Sequence, residues 1–322
     1  MSFKVLVPQP IAVEGIELIL GSGLEVVEPP TWDVETLGEH IGACRGVLLR
    51  NALMTRKLLE RAPDLEVIAR HGVGLDNIDL KYCAERGVVV TYTPEANATA
   101  VAEHTLGMIV AVTRNLLVGD EEIRKGHFDA RDRLYGMELE GKTLGVVGLG
   151  RIGRLVARKA ASGLDMKLVG HDPYLQKRDL PEYLRKMELD DLLATSDVVT
   201  LHLPLTAETR NLLGEDRIFR MKDGAYLVNC ARGGIVDERA LEEALRLGKL
   251  SGAALDVFAD EPTGQDHPLW DFKNVVVTPH MAAFTEESIV RMAAHAAEGV
   301  ISVARGEPPR WQVDLKSLTS GT

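Results

Sequence analysis

The sequence predicts an α/β protein built from two doubly wound parallel sheets, on three observations. Short β-branched runs alternate with helical patterns along nearly all of the 322-residue chain, the signature of βαβ units. Ten such runs can be picked out, at residues 4–7, 46–49, 67–69, 88–91, 143–147, 167–170, 198–201, 225–228, 253–256 and 275–278. That is more than one comfortable sheet of this kind, and the length suits two domains. A glycine-rich turn also follows the run at 143–147 and opens a helical pattern.

The first four runs belong to one sheet. A long helical pattern then begins near Thr99 and runs to Val118, and a charged, non-periodic stretch occupies 119–141. The remaining six runs make the second sheet. A last long helix is expected from about Glu286 to Arg305, and Pro308-Pro309 stops any continuation. The tail beyond it reads as too polar to pack well. If the last helix returns to the first sheet, the first domain is discontinuous, 1–98 with 286–322, and the second, 99–285, is inserted into it. The two crossing segments would then act as a hinge beside a cleft.

Composition narrows the function. Hydrophobic residues make up 45% and charged residues 26%, with a formal net charge of -11, the balance of a soluble globular protein. The negative field disfavours nucleic acid and anionic membrane surfaces, but a few local arginines suffice to bind a small anion. The most apolar long stretch, 99–118, contains Glu103, His104 and Arg114 and reads as an amphipathic helix rather than a membrane span. Cys44, Cys83 and Cys230 lie far apart, so neither a disulfide framework nor a metal site is expected, and a cytoplasmic location fits.

The stretch TLGVVGLGRIGRLVARKA places Gly148-x-Gly150-x-x-Gly153 between an apolar strand and a helix. In that context the glycines permit a tight turn and close backbone approach, and a pyrophosphate sits on the helix N-terminus. The next strand ends in Asp172, 19 residues after Gly153. An acidic residue there accepts hydrogen bonds from the ribose hydroxyls and repels a 2′-phosphate, so NAD is expected rather than NADP.

Ligands of parallel sheets bind at the carboxyl ends of strands. Three polar residues fall there: Arg232 after AYLVNCA, Glu261 after AALDVFAD, and His280 after VVVTP. A guanidinium grips a carboxylate bidentately and polarises an adjacent carbonyl. A histidine exchanges a proton with a hydroxyl, and a carboxylate behind it fixes the tautomer and favours the charged ring. Singly, each has a plainer reading: a surface arginine, a turn glutamate before proline, a structural histidine. Together, downstream of a nucleotide motif, they describe chemistry on a 2-hydroxy acid.

At these residues the sequence resembles the D-isomer-specific 2-hydroxyacid dehydrogenases, over nearly the whole chain. The resemblance runs through RHGVGLDNIDL (70–80), NATAVAEHTLGMI (97–109), GKTLGVVGLGRIG (141–153), LHLPLTAETRNLL (201–213), NCARGGIVDERAL (229–241), GAALDVFADEP (252–262) and TPH (278–280). It implies a flavodoxin-like substrate domain and an inserted Rossmann domain binding NAD. It implies Arg232 at the substrate carboxylate, His280 as acid/base and Glu261 as its partner. Gly148, Gly150, Arg151, Ile152, Gly153 and Asp172 would hold the cofactor, with Thr105, Leu203, Cys230 and Asp256 as further contacts. Val73 and Gly74 would meet the substrate carboxylate with their backbone, and Arg50 and Asn51 resemble a loop closing over its far end. A homodimer is implied, with the nucleotide domain making much of the contact.

Two positions depart from the common pattern. His71 stands where relatives often carry a small residue; it reads as a contact to an anionic substrate or as a hydrogen-bonded loop histidine. Phe284 follows Met281-Ala282-Ala283 where many relatives have glycine or serine; it would narrow the site's mouth or join a subunit contact. Arg50 with His71 suggests a substrate bearing a second negative group, making 3-phosphoglycerate, hydroxypyruvate or a similar polar acid the leading expectation, with glyoxylate beside them from the resemblance. With the chain ending at residue 322, feedback by serine through a C-terminal regulatory domain is not expected. The alternatives are formate or phosphite oxidation and an NAD-sensing, corepressor-like binding module.

Overall fold

A computed structural model describes residues 2–316. The β-branched runs form strands whose successive residues face opposite cores. The chain divides into two units, Met1–Asn97 with Phe284–Thr322, and Ala98–Ala283.

The first unit holds β1 (Lys4–Leu6), β2 (Glu25–Val27), β3 (Gly46–Leu49), β4 (Val67–Arg70) and β5 (Val89–Thr91), all parallel, in the order β2-β1-β3-β4-β5. Leu6, Val47, Leu49, Ile68 and Val90 enter one core, and Val5, Leu48, Val67 and Ala69 enter the other. Burial on both faces is what makes these strands near-continuous apolar runs. The helix Glu286–Ala304 supplies Ala296, Ala297, Val300 and Ile301 to the second core and packs on β3 and β4. Thr285 caps it, its side chain accepting from the Ser288 N–H at 3.2 Å.

The second unit holds β6 (Thr143–Val147), β7 (Lys167–His171), β8 (Leu184–Lys186), β9 (Val198–Leu201), β10 (Ala225–Asn229), β11 (Leu250–Leu255) and β12 (Val275–Val277). These are parallel in the order β12-β11-β10-β9-β6-β7-β8. Counted within the unit this is the doubly wound order, and it reverses between β6 and β9, where such sheets bind ligands. Val147, Val199, Leu201, Leu227 and Leu255 face one core; Leu144, Val146, Val198, Val228 and Ala254 face the other. Each fully buried side chain of this size contributes about 1.5–3 kcal/mol, so the strand ends that carry polar residues are held by a rigid base.

Four sequence expectations are corrected. β2 and β8 were not foreseen, because both are three-residue edge strands carrying charge, EVV and LRK, and edges tolerate charge that a central strand cannot. The helix expected to run from 99 to 118 breaks: Ala98–Thr113 and Leu116–Arg124 meet at 61° around Asn115, which has φ +51°. The stretch expected to be irregular therefore begins inside a helix. The tail after Gly306 does pack: Val313 N–H donates to Val90 O at 2.8 Å, Thr91 and Gln312 form an antiparallel bridge, and Val313 and Leu315 join the first core. Among the described residues no single helix is long and apolar enough to cross a membrane.

Candidate functional site

The glycine loop after β6 is shaped by contacts only glycine allows. Gly148 has φ +91°, and a Cβ there would stand 2.3 Å from His202 O; one on Gly153 would stand 2.0 Å from Gly148 O. A Cβ on Gly150 would meet nothing within 4 Å, so the face beside it is left open. Gly150 is also the N-cap of the helix Arg151–Gly163 and provides no side-chain cap, leaving leading N–H groups available to an anion. Arg151 and Ile152 begin that helix, Ile152 packing into the core. Asp172, just past β7, accepts from the N–H of Leu149 and of Tyr174, each at 3.0 Å. A carboxylate has about four acceptor positions, so lone pairs remain for ribose hydroxyls. Leu203 N would lie 3.2 Å from a Gly148 Cβ, placing the 202–203 backbone against the loop. These residues fit a bound dinucleotide.

The three chemistry-bearing side chains all lie in the second unit, past β10, β11 and β12. Buried Asn229 shapes the Arg232 turn: its Nδ2 donates to Arg232 O at 2.8 Å, and its Oδ1 accepts from Ala231 N–H at 3.0 Å. Arg232 Nη1 donates to Ala231 O at 2.6 Å. Glu261 accepts from Phe258 N–H at 2.9 Å with Oε1, and Oε2 lies 2.7 Å from His280 Nδ1. With a carboxylate as acceptor, Nδ1 carries the proton and Nε2 is left to face a ligand. Burial pushes the Glu261 carboxyl up. The His280 and Phe258 hydrogen bonds and the positive charge of His280 and Arg232 outweigh it, so it ionises below its usual range. His280 has φ +49°, a left-handed conformation that costs a non-glycine residue about 1 kcal/mol or more and concentrates at functional sites.

What holds His280 there was not read as such from the sequence. Asp256 is fully buried; it accepts from Thr278 Oγ1 at 2.6 Å, Met281 N–H at 2.8 Å and Ala282 N–H at 2.9 Å. His104 Nε2 reaches Thr278 Oγ1 at 3.1 Å. Asp256, expected as a cofactor contact, has both oxygens engaged with the loop that bears His280. Thr105 and Cys230 are buried as well, Thr105 donating to Val101 O at 2.8 Å. Burial pushes the Cys230 thiol up to about 12, so it remains neutral and unreactive at ordinary pH.

In the first unit, the predicted substrate residues sit at strand ends of their own sheet. Gln9 Oε1 accepts from the N–H groups of Asn51 and Ala52, a buried brace without a sequence signal. Arg50 Nη1 donates to Pro10 O at 3.2 Å, and its guanidinium lies 5.2 Å from the Phe284 ring centre. Arg70 Nε donates to Gly74 O at 2.8 Å and Nη1 donates to His71 O, wrapping the loop that exposes Val73. His71 is 5% exposed, and burial holds its pKa at about 4, with Arg70 and Arg50 adding to the effect. The sequence suggested a positive partner for an anion here. At neutral pH the ring is uncharged, and the positive charge beside it comes from Arg70 and Arg50.

Residues 106–282 match the family model for the D-isomer specific 2-hydroxyacid dehydrogenase NAD binding domain. The chain is 45% identical over 293 residues to a glyoxylate reductase of Thermofilum pendens, covering 85% of this chain and 86% of that protein. It is 39% identical over 317 residues to a D-3-phosphoglycerate dehydrogenase of Archaeoglobus fulgidus, covering 98% of this chain but 60% of that protein. This chain thus spans about 60% of the length of such longer relatives. Among solved structures, a D-lactate dehydrogenase from Aquifex aeolicus complexed with NAD and lactic acid superposes with TM-score 0.85 at 32% identity, covering 94% of this chain and 96% of that one.

Proposed function

The chain belongs to the D-isomer specific 2-hydroxyacid dehydrogenase family, and from that premise we propose that it interconverts a small 2-oxo acid and its D-2-hydroxy acid. The observation that carries the proposal is the 2.7 Å pair of Glu261 and His280, with Arg232 charge felt at the same carboxylate, in the unit that has the NAD-binding fold. Bound NAD supplies or accepts the hydride at C2. Arg232 clamps the substrate carboxylate with its planar fork and polarises the neighbouring carbonyl. His280 delivers a proton from Nε2 to the carbonyl oxygen during reduction, or takes it from the hydroxyl during oxidation. Glu261 holds the ring in the tautomer and orientation this requires.

Asp172 favours NADH over NADPH, because a 2′-phosphate would meet its carboxylate. Arg50, set on the Phe284 ring in the first unit, suits a polar or anionic substituent, so 3-phosphoglycerate and hydroxypyruvate lead the substrate list, with glyoxylate added by likeness to the glyoxylate reductase. His71 adds at most an uncharged N–H. Leu116, Leu117, Ile123 and Phe128 are exposed apolar side chains on the second unit, suited to cover by a second copy of the chain in a homodimer. A panel of 2-oxo acids assayed with NADH and with NADPH tests the reading. Turnover of one or more with NADH preference is expected; tight NADH binding without turnover of any would refute it.

A further inference from the structure

We propose that Glu238 is a positioning residue that sets both Arg232 and Glu261 by holding the Phe258–Ala259 peptide, which touches the Arg232 turn and adjoins the amide bonded to Glu261. This rests on the dehydrogenase reading above. Glu238 opens the helix Glu238–Arg246, which Asp237 caps by accepting from the Arg239 and Ala240 N–H groups. Its side chain turns away from that helix. Oε1 accepts from Ala259 N–H at 2.7 Å, and Oε2 lies 3.2 Å from His267 Nε2. The preceding N–H of the same peptide stretch, that of Phe258, goes to Glu261 Oε1 at 2.9 Å. The two amides flanking Phe258 are therefore divided between a carboxylate that pairs with His280 and one with no assigned role.

The Arg232 turn rests on the same spot. A Cβ on Gly233 would stand 1.8 Å from Phe258 C and 2.4 Å from Ala259 N. The residue after Arg232 thus lies in direct contact with the peptide that Glu238 holds, and any shift of that peptide moves the arginine turn and Glu261 together. The far side of the brace is fixed as well. His267 Nδ1 accepts from Leu269 N–H at 3.3 Å, which places its proton on Nε2, facing Glu238. Trp270 lies 4.5 Å from the His267 ring at 30° and meets Phe258 edge-on at 5.3 Å. Glu238 and His267 are partly buried, with side chains 19% and 16% exposed.

Length separates this role from charge. Glu238→Asp keeps the negative helix start but withdraws the carboxylate from Ala259; Glu238→Gln keeps the reach and an acceptor oxygen. With the best substrate of the wild-type protein, the aspartate variant should lose roughly tenfold to a hundredfold in kcat, the range a displacement of about 1 Å produces. Its NADH Kd should stay within about twofold, while the glutamine variant stays within about threefold of wild type in kcat. On a Glu261→Gln background the aspartate change should cost less than about threefold, because the partner it positions is already lost. Hydrogen exchange of the segment 257–262, followed without substrate, should accelerate in the aspartate variant and not in the glutamine one. An aspartate variant with wild-type kcat, or one whose loss is undiminished by Glu261→Gln, overturns the proposal. Inactivity of the wild-type protein toward every 2-oxo acid would defeat the dehydrogenase reading alone, and the exchange result would still decide the brace.

Discussion

At the scale of single residues, Arg232, Glu261 and His280 do different work and should fail differently. Arg232→Ala removes a clamp that acts on a developing oxyanion. It should lower kcat/KM on the order of 10³-fold, about 4 kcal/mol, while NADH binds as before. Arg232→Lys restores the charge without the fork and should recover only part of it; an unchanged kcat/KM in either variant would remove the arginine from the mechanism. His280→Ala should cost on the order of 10²- to 10⁴-fold in kcat, the range of a lost general acid/base. Glu261 adds a pH signature. Its folded pKa lies below the ordinary carboxylate value of 4.5, so Glu261 is ionised above that value and takes up a proton only as pH falls through the lowered one. A kcat profile of Glu261→Gln should therefore lack the low-pH inflection that the wild-type profile shows.

At the scale of the element, the β6 loop and its helix separate two kinds of glycine. Gly153→Ala forces a Cβ to within 2.0 Å of backbone; both thermal stability and NADH affinity should fall, the latter by about tenfold or more, or 1.4 kcal/mol. Gly150→Val enters open space, so it should leave the melting temperature nearly unchanged and still weaken NADH binding by a comparable factor. Wild-type affinity in Gly150→Val would mean that the open face is not where the dinucleotide lies. This loop was legible in the sequence because its three glycines sit within six residues, between an apolar strand and a helical pattern. The brace around Asp256 was not. Its partners Thr278, Met281, Ala282 and His104 come from the loop after β12 and from another helix, and spacing along the chain carries no trace of them. The left-handed backbone of His280 was hidden for the same reason: that loop's conformation is imposed by Asp256, not by the residues TPHMAA themselves.

At the scale of the whole molecule, the two parallel sheets were legible because central strands buried on both faces must be apolar throughout. Only the charged edges β2 and β8 escaped. Burial also sets the pH range over which the chain stays folded, through buried histidines and cysteines in both units. His71 has a folded pKa of about 4 against 6.5 when unfolded. Above pH 6.5 neither state holds the proton and stability is intact. As pH falls from 6.5 toward 4 only the unfolded chain takes it up, and stability is lost. His202, lowered by burial to about 3, acts in the same direction from the second unit. Cys83 and Cys230 act at the other limit. Raised by burial from 9.0 to about 12, they leave stability intact below pH 9 and erode it as pH rises toward 12. Maximum stability is thus expected between about pH 7 and 9. At pH 5 the His71 shift alone should cost about 2 kcal/mol relative to pH 7.5. Urea denaturation of the wild type and of His71→Asn at both pH values tests this: the variant should start less stable at pH 7.5 yet lose about 2 kcal/mol less on acidification. Equal losses in the two proteins would mean that the His71 ring takes up its proton in the folded state, and that it is available as a positive contact after all.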